Sequence, residues 1–146
     1  MRTINKSVIF VIGQFVFGIF LLATASFSKI NLLSGLFMLL GCLIVLWATI
    51  SMRKSVIKVF PDVDNRAKLI EEGPYQWIRH PMYFGALLTF IGLLITRITL
   101  IRLMAYFFLA VDLILKLSFE ENLLEKYFKN YKSYKKKTFR LIPFIY

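Results

Sequence analysis

Long apolar runs alternate with short polar segments along the whole chain. Residues 8–27 and 32–52 contain no charged side chain, and each run matches the roughly 20 residues that a transmembrane helix requires. Residues 81–96 and 98–119 form two further runs, and Arg97 alone separates them, which predicts a tight helical hairpin. The pattern therefore predicts an all-α integral membrane protein with four transmembrane helices.

Composition supports this fold class. Of the 146 residues, 58% are hydrophobic and 18% are charged, whereas a soluble domain has about 45–50% apolar and about 25% charged residues. The length suits a single domain over residues 1–146, so any chemistry must be performed by the helices and the segments that touch them. Cys42 and His80 are the only cysteine and histidine, which excludes a disulfide framework and a zinc site with several such ligands.

Basic residues set the predicted orientation of the helices. The net charge is +11, and positive residues gather at the N-terminus, in the loop 53–80 and in the C-terminal segment 120–146. By the positive-inside rule, both termini and this loop are expected on the cytoplasmic side. The basic residues that precede the third run and flank the first two are Arg2, Lys6, Arg53, Lys54, Lys58, Arg66, Lys68 and Arg79. Because such charges flank apolar runs, an anionic membrane surface explains them better than a nucleic-acid partner does.

The first run also has features of a cleavable signal peptide. Basic residues precede it, and the sequence Ala23-Thr24-Ala25 near its end resembles a signal-peptidase site. The length of the run and the short gap before the second run favour an uncleaved helix instead. We therefore interpret it as the first span.

A polar block that leads into the third run is the first candidate for chemistry. Pro81 suits the first position of a helix, because its missing N–H would have no partner there. His80 then lies at the helix start and Tyr83 one turn inside. The positive end of the helix dipole and the charge of Arg79 favour a carboxylate or phosphate ligand. The alternative interpretation is an interfacial belt of aromatic and basic residues that anchors the end of the helix.

The second candidate block lies in and after the fourth run. Asp112, Lys116 and Glu120 are spaced four apart and therefore share one helix face. Ionisable groups in a span are costly, so they usually face the bundle interior and pair with one another. Asp112 and Lys116 are thus also consistent with a purely structural ion pair. Glu120 and Glu121, near the cytoplasmic end, would accept hydrogen bonds from a ribose, an amine or an α-ammonium group.

The C-terminal segment 120–146 predicts an amphipathic helix. Tyr131 and Tyr134 belong to an aromatic set that recurs at helical spacing, with lysines between its members. This pattern is typical of a helix that lies at a membrane interface. The apolar end, residues 140–145, is expected to dock back onto the membrane domain.

The motifs of both blocks and the tail resemble a known family. In order, the chain contains Gly-Pro-Tyr-x-x-x-Arg-His-Pro-x-Tyr-x-Gly at 73–85, Glu120-Glu121-x-x-Leu124, Tyr131-x-x-Tyr134 and Arg140-x-Ile142-Pro143-Phe144. Their order and spacing resemble the isoprenylcysteine carboxyl methyltransferase and phospholipid methyltransferase superfamily of integral-membrane enzymes. The resemblance covers residues 66–146.

This resemblance implies a methyltransferase that binds S-adenosylmethionine at the start of the third helix, beside the fourth helix and under the folded-over tail. The acceptor would be lipid-attached or lipophilic, such as an isoprenylcysteine carboxylate or a phospholipid amine. Together with the properties of the helix start, the resemblance predicts the cofactor-binding residues Tyr75, Arg79, His80, Pro81, Met82, Tyr83, Glu120, Tyr134 and Arg140. Tyr131 is a further candidate for packing on the cofactor.

Two residues of the second block are predicted to act on the acceptor. Glu121, or alternatively His80, would be the base for a protonated acceptor, whereas a carboxylate acceptor needs none. Lys116 lies where the prenylcysteine enzymes commonly have an arginine that is linked to the substrate. A lysine lacks the bidentate fork of arginine, which weakens the case for prenylcysteine specificity more than that for methyl transfer.

Two other functions remain open at the level of sequence. A small four-helix transporter would use Asp112 as a proton-coupled site and would not need the C-terminal tail. A non-catalytic membrane scaffold would keep the pocket without turning over a substrate. The enzyme hypothesis, by contrast, requires residues 140–144 to close the cofactor pocket.

Overall fold

A computed structural model describes residues 2–53 and 69–146, and the chain is helical over these ranges. Their α-helices are α1 (Arg2–Ala23), α2 (Leu32–Arg53), α3 (Pro81–Thr96), α4 (Leu100–Tyr127) and α5 (Tyr131–Lys137). Short 3₁₀ helices span Phe27–Lys29 and Gly73–Gln76. In these ranges, β-structure is limited to an isolated bridge between Ile78 and Phe139. The predicted all-α class is confirmed.

The first three predicted runs correspond to helices of the structure, with a difference at the end of α1. Residues 32–52 and 81–96 correspond to α2 and α3 almost residue for residue. α1 ends at Ala23, before the predicted end of the first run. The chain turns there, and the Thr24 hydroxyl donates to the Phe20 carbonyl oxygen at 2.7 Å.

α4 is longer than the pattern of apolar residues predicts. The predicted span ends at residue 119, and the helix itself continues to Tyr127. The intervening stretch contains no glycine or proline and is rich in residues that favour helix, such as Glu, Leu and Lys. The predicted amphipathic helix is therefore divided between the end of α4 and the short α5, in which Tyr131 and Tyr134 are buried.

Helices α2 and α3 pack so closely that only small residues fit between them. A Cβ atom on Gly85 would lie 2.7 Å from the Gly41 carbonyl oxygen, and one on Gly92 would lie 2.7 Å from the Ser34 carbonyl oxygen. On each helix these residues are seven positions apart, which keeps them on one face. Small residues at such a spacing bring helix backbones into van der Waals contact, a common mode of association in membranes.

Helix α1 packs antiparallel against α4. The ring centroids of Phe10 and Phe119 are 6.3 Å apart, and those of Phe17 and Phe108 are 5.9 Å apart. The first pair lies towards the C-terminal end of α4 and the second pair lies closer to its middle. This arrangement brings the ionisable residues of α4 next to α1.

A buried arginine joins three helices at the end of the bundle that lies away from the Phe10–Phe119 contact. Arg102 of α4 is only 1% exposed. Its guanidinium donates to the Leu93 carbonyl oxygen at 2.6 Å and to the Thr24 hydroxyl at 3.1 Å. The Leu93 carbonyl belongs to the last turn of α3, where carbonyls lack helical partners. Arg102 therefore fixes the ends of α1 and α3 to the start of α4.

The outer faces of α1, α2 and α4 are apolar. Among the described helices, Leu32–Met52 is long and apolar enough to cross a bilayer, and Val8–Ala23 and Pro81–Thr96 are shorter apolar helices. Large side chains such as Phe15 and Phe107 are exposed on these faces. Extended apolar surfaces mark regions that contact a membrane or a partner. The described helices thus indicate membrane association.

Several basic residues that set the predicted orientation lie outside the described part of the chain. These residues are Lys54, Lys58, Arg66 and Lys68, together with the side chains of Arg2, Lys6 and Arg53. The cytoplasmic orientation of the termini and of the loop stays a prediction.

The C-terminal segment folds back onto the start of α3. The Phe139 N–H donates to the Trp77 carbonyl at 2.8 Å, and the Arg79 N–H donates to the Phe139 carbonyl at 2.9 Å. The His80 N–H then donates to the Arg140 carbonyl at 3.2 Å. The tail therefore docks through Phe139 and Arg140 at the residues just before α3, and Leu141 is buried. The rest of the expected apolar end is not docked, since Ile142, Phe144 and Ile145 are exposed.

Candidate active site

The turn that precedes α3 is fixed by contacts with α2. Gly73 has a φ of +61°, a left-handed conformation that favours glycine, and a Cβ atom there would collide with the Ser51 hydroxyl. The indole of Trp77 packs edge-on against that of Trp47, with centroids 5.8 Å apart. Pro81 follows as the buried first residue of α3. The helix start is thus held at a defined position beside α2.

Glu120 is the centre of the first group of polar side chains. The Tyr83 hydroxyl donates to Glu120 Oε1 at 2.7 Å, and Lys116 Nζ lies 4.0 Å from the same oxygen. His80 Nδ1 lies 3.9 Å from Glu120 Oε2, and its ring stacks on Tyr83 with centroids 5.5 Å apart. The Glu120 side chain is 34% exposed, so its carboxylate keeps acceptor capacity for a ligand. We call His80, Tyr83, Lys116 and Glu120 the Glu120 cluster.

Lys116 connects the Glu120 cluster with α1. Its ammonium donates to Gln14 Oε1 at 3.2 Å and lies 5.3 Å from the centre of the Tyr83 ring. Among the described residues, this bond to Gln14 holds the ammonium, and no direct ion pair with Asp112 does. Asp112 packs instead against Gly13, where a Cβ atom would lie 2.9 Å from its Oδ1. The structure therefore does not show the direct ion pair between Asp112 and Lys116 that the sequence leaves open as an alternative.

Glu121, in contrast, is 4% exposed and surrounded by positive or protonatable groups. Arg79 Nε donates to Glu121 Oε1 at 2.6 Å, and Arg140 Nε lies 3.2 Å from Oε2. His80 Nε2 lies 3.5 Å from Oε1, and Lys135 Nζ lies 3.9 Å from Oε2. Burial alone would raise the pKa of Glu121, but His80 and the two guanidinium groups outweigh it and lower the pKa to about 2. Glu121 is therefore ionised at physiological pH.

Arg79 also binds the folded-back tail. Its Nη1 donates to the Thr138 carbonyl at 2.5 Å and to the Lys135 carbonyl at 3.3 Å, both at the end of α5. The Tyr134 hydroxyl donates to the Tyr75 carbonyl at 2.6 Å. Together these bonds join the tail to the turn before α3. We call Arg79, Glu121, Tyr134, Thr138 and Arg140 the C-terminal latch.

Three buried tyrosines lie near the two glutamates. Burial and, after it, the negative charge of Glu120 raise the pKa of Tyr75 to about 12. Burial is also the main reason for the raised pKa values of Tyr131 and Tyr134. In the described part of the chain, the Tyr131 hydroxyl has no hydrogen-bond partner. The phenols are thus neutral, and the Tyr131 hydroxyl is a buried polar group without a partner.

The structure brings the predicted site residues of both blocks and of the tail together at one end of α3. Their surroundings differ, however. Arg79, Tyr134 and Arg140 are predicted to bind the cofactor, yet in the structure they form the latch. Met82 and Tyr75 pack in an apolar cluster with Ala48 and Ile70. Within the Glu120 cluster, Glu120 is partly open at 34% exposure, whereas the side chains of His80 and Lys116 are 7% and 12% exposed.

Two residues of this region are not singled out by the sequence. Gln14 has a signal, because it is the strongly polar residue of an apolar run and such residues usually have an internal partner. Thr138 has none, since it binds Arg79 mainly through its backbone carbonyl. A backbone acceptor is present at every position and leaves no trace in the sequence.

These features define an all-helical, membrane-associated protein with a polar site between the start of α3, α4 and a folded-back tail. Residues 29–131 match the phospholipid methyltransferase family, and the chain belongs to that family. The resemblance found in the motifs is thus confirmed, and the family indicates a membrane methyltransferase. The match includes the Glu120 cluster and ends before Tyr134 and Arg140. No curated protein and no solved structure matches the chain.

Proposed function

We propose that the chain is an integral-membrane methyltransferase that uses S-adenosylmethionine and methylates a lipid-attached or lipophilic acceptor. The family supports methyl transfer as the reaction type. The Glu120 cluster is the observation that carries the proposal, because it combines a partly exposed carboxylate with a phenol, an imidazole and an ammonium group. This cluster lies at a helix start, where a cofactor with charged groups is readily bound.

In this proposal, α1 to α4 correspond to the four predicted spans, residues 8–27, 32–52, 81–96 and 98–119, and the site faces the cytoplasm. The apolar outer faces of α1, α2 and α4 support the four spans, and the basic residues at the predicted cytoplasmic ends support the orientation. The ionisable residues of α4 are compatible with a span because Asp112 and Lys116 contact α1. Such internal placement is what a bilayer requires of charged side chains.

The residues at the site suit the groups of S-adenosylmethionine. The first turn of α3, which contains Met82 and Tyr83, has backbone N–H groups without helical partners, and these suit a carboxylate. Glu120 provides acceptor oxygens for an α-ammonium group or for ribose hydroxyls. Tyr75 and Tyr131 are buried aromatic residues near the two glutamates, and the Tyr131 hydroxyl has no hydrogen-bond partner among the described residues. The donor set therefore fits the cofactor.

The role of the protein in methyl transfer is mainly to position the reactants. When bound, S-adenosylmethionine would supply an activated methyl group on a positively charged sulfur. The chain has to hold the acceptor in line with that methyl group and exclude water. Lys116, at the junction of the Glu120 cluster and α1, is the proposed contact for the acceptor.

The surroundings of Glu121 and His80 suggest different roles for them. A carboxylate whose pKa is about 2 is a weak base, so we assign Glu121 a positioning role in the C-terminal latch. His80 is then the base for an amine acceptor, which must lose a proton before it attacks the methyl group. A carboxylate acceptor would need no base.

Calorimetric titration with S-adenosylmethionine tests the proposal directly. The detergent-purified protein is expected to bind the cofactor, and Glu120→Gln and Tyr83→Phe are expected to weaken binding about tenfold, the effect of losing roughly 1.4 kcal/mol. Glu125→Gln is the matched control, since it removes the same charge one turn further along α4 and should bind normally. The absence of binding by a folded wild-type protein would refute the cofactor assignment.

Labelled methyl transfer then identifies the acceptor. Total lipid extract and a farnesylated cysteine analogue are offered in parallel to the wild-type protein. Label in a phospholipid would assign an amine acceptor, whereas label in the analogue would assign a carboxylate. A folded protein that binds the cofactor and labels neither would instead favour the scaffold hypothesis.

The contacts of the tail favour an enzyme over a transporter. A transporter that uses Asp112 would not require the tail, whereas the enzyme requires it as a cover. Arg79 and Tyr134 together join the tail to the helix start through three hydrogen bonds to carbonyl oxygens. Because these bonds hold the tail at the helix start, they support a tail that acts as a cover and is part of the site.

A further inference from the structure

The last residues of the tail form a turn that projects two apolar side chains. The Leu141 and Ile142 N–H groups both donate to the Tyr146 backbone oxygen, at 2.7 and 2.9 Å. The turn leaves Phe144 86% and Ile145 79% exposed, and we call these two residues the tail tip. Phe144 also has a φ of +65°, a left-handed conformation that is unfavourable for a phenylalanine. A hydrogen-bonded turn that holds an exposed aromatic ring in this conformation indicates a contact outside the chain.

The tail tip continues an exposed aromatic surface. The rings of Phe144 and Phe139 have centroids 5.3 Å apart, and the Phe139 N–H donates to the Trp77 carbonyl. The exposed Trp77 indole packs in turn against the exposed indole of Trp47. Trp47 lies near the C-terminal end of Leu32–Met52, the stretch that is long and apolar enough to cross a bilayer. Because tryptophan rings collect where the bilayer core meets the head groups, this surface lies at the level of a membrane interface.

Three lysines of α5 add positive charge beside this surface. Lys132, Lys136 and Lys137 are exposed, and none of them has an ion pair with the residues that the structure describes. Lys135 differs, since its Nζ lies 3.4 Å from a Glu125 carboxylate oxygen. We call the first three lysines the basic face of α5. Unpaired lysines beside exposed apolar side chains are complementary to anionic head groups above hydrocarbon.

This surface differs from the one that the sequence predicts for the membrane interface. The aromatic residues of the expected amphipathic helix, Tyr131 and Tyr134, are buried inside the protein and cannot enter a bilayer. Their burial turns the basic face of α5 outwards. The apolar part of a membrane contact is therefore left to the tail tip, which lies outside α5.

We propose that the tail tip and the basic face of α5 bind the surface of an anionic bilayer. The tail tip enters the interface beside Trp77, and the three lysines bind the phosphates of anionic head groups. These lipids are a surface contact and not the methyl acceptor. Because Arg79 donates to the Thr138 carbonyl at the end of α5, an anionic leaflet would also hold the C-terminal latch closed. The inference concerns the tail alone and does not require methyl transfer.

Hydrogen–deuterium exchange of the full chain in nanodiscs tests this contact. The nanodiscs contain phosphatidylcholine, either alone or with one third phosphatidylglycerol. The amides of residues 139–142 include the donors to Trp77 and Tyr146. We expect them to exchange at least about fivefold more slowly with the anionic lipid, roughly the contribution of one lysine at an anionic surface. The amides of α2 and α3 should exchange equally in both nanodiscs.

Two double variants separate a local contact from the effect of net charge. Lys136→Gln/Lys137→Gln should remove most of the slowing by anionic lipid. Lys126→Gln/Lys129→Gln removes the same charge from two exposed lysines and should retain the slowing. These control lysines precede α5, and the seven residues of α5 place them about 10 Å along the chain from its basic end.

Spin labelling locates the tail tip. Cys42→Ser provides the background, because Cys42 is the only cysteine, and Ile145→Cys carries the nitroxide. In anionic nanodiscs we expect this label to be more accessible to oxygen than to a soluble nickel complex. A label on Ser133→Cys, at an exposed position of α5, should show the reverse. Phe144→Ser should shift the residue 145 label towards the nickel complex, since it removes the neighbouring ring.

Other results would overturn the inference. Unchanged exchange of residues 139–142 on adding phosphatidylglycerol would exclude an anionic contact. Equal losses from the two double variants would mean a diffuse effect of net charge. Equal slowing by polyglutamate in phosphatidylcholine nanodiscs would assign the surface to an acidic protein. A residue 145 label open to nickel in both nanodiscs would place the tail tip in water. None of these measurements uses S-adenosylmethionine, so their failure would leave the proposed function untouched.

Discussion

Helix α3 is held on its two sides by contacts of opposite kinds. Against α2 the contact is apolar and lies between backbones, with Gly85 and Gly92 facing Gly41 and Ser34. At the turn that leads into α3, the contact with the tail is ionic and centred on Glu121 of α4, which lies between Arg79 and Arg140. Both contacts are buried, yet only the second contains groups that ionise.

This difference separates a permanent scaffold from a cover that can be released. The close packing of α2 and α3 tolerates no larger side chain, because a Cβ atom on Gly85 or Gly92 would clash with the backbone of α2. An ion-paired tail keeps its attachment only while each charge has its partner, since an unpaired buried charge is costly. The proposed function, in which a soluble cofactor is exchanged beside a membrane, requires both properties, a fixed helix start and a detachable cover.

The largest expected effect is the loss of the scaffold. Gly85→Leu should abolish folding or lower stability by more than the roughly 1–3 kcal/mol of ordinary overpacking, because the clash is with the backbone of Gly41. Thermal unfolding in detergent measures the change. Gly35→Leu is the matched control, since a Cβ atom there meets only a side chain, Ile30 Cγ2, at 3.9 Å. Similar melting of both variants would contradict the tight α2–α3 contact.

The next largest effect is the release of the tail. Arg79→Gln removes a partner of a buried carboxylate, a change that typically costs about 3–5 kcal/mol, and it weakens the attachment to the Thr138 carbonyl. We expect faster proteolysis of residues 131–146 while α2 and α3 remain folded. Arg97→Gln, at the exposed end of α3, is the control and should leave the tail protected. Cooperative unfolding of the whole protein by Arg79→Gln would mean that the tail is part of the scaffold.

The apolar pattern predicts helices well where a helix and an apolar run end together. Pro81 starts α3 and Arg97 follows its last residue, so sequence and structure agree there. α4 differs because Glu120 ends the apolar run without ending the helix. A helix leaves a membrane without a break when its polar residues also favour helix, and hydropathy then locates the membrane boundary and not the helix end.

Residues of the candidate site are predictable where side chains contact side chains. Tyr83 and Glu120 belong to motifs and meet at 2.7 Å. The surroundings of Arg79 were not predictable, because two of its partners are the backbone carbonyls of Thr138 and Lys135. A charge near a helix start suggests an anionic ligand, whereas in the structure Glu121 of α4 is the anion that Arg79 binds.

The ionic contact should also respond to pH. The pKa of Glu121 is about 2 in the folded protein and about 4.3 in an unfolded chain. Its contribution is therefore complete above about pH 4.3 and is lost as the pH falls towards 2, an effect of about 3 kcal/mol. Melting temperatures between pH 6 and pH 2.5 measure it. Glu121→Gln should remove this part of the acid sensitivity, whereas Glu125→Gln should retain it.

The smallest expected effect distinguishes two roles of Tyr134. Tyr134→Phe removes a 2.6 Å hydrogen bond to the Tyr75 carbonyl, which should cost about 1 kcal/mol. Tyr106→Phe is the control, because its hydroxyl lies 3.5 Å from the Leu87 carbonyl and contributes less. If Tyr134 acts only in the latch, Tyr134→Phe should increase proteolysis of the tail. The cofactor affinity of the molecules whose tail is attached should then be unchanged. A loss of affinity with an unchanged tail would instead place the Tyr134 hydroxyl on the cofactor, because the phenylalanine ring retains the stacking surface and only the hydroxyl is removed.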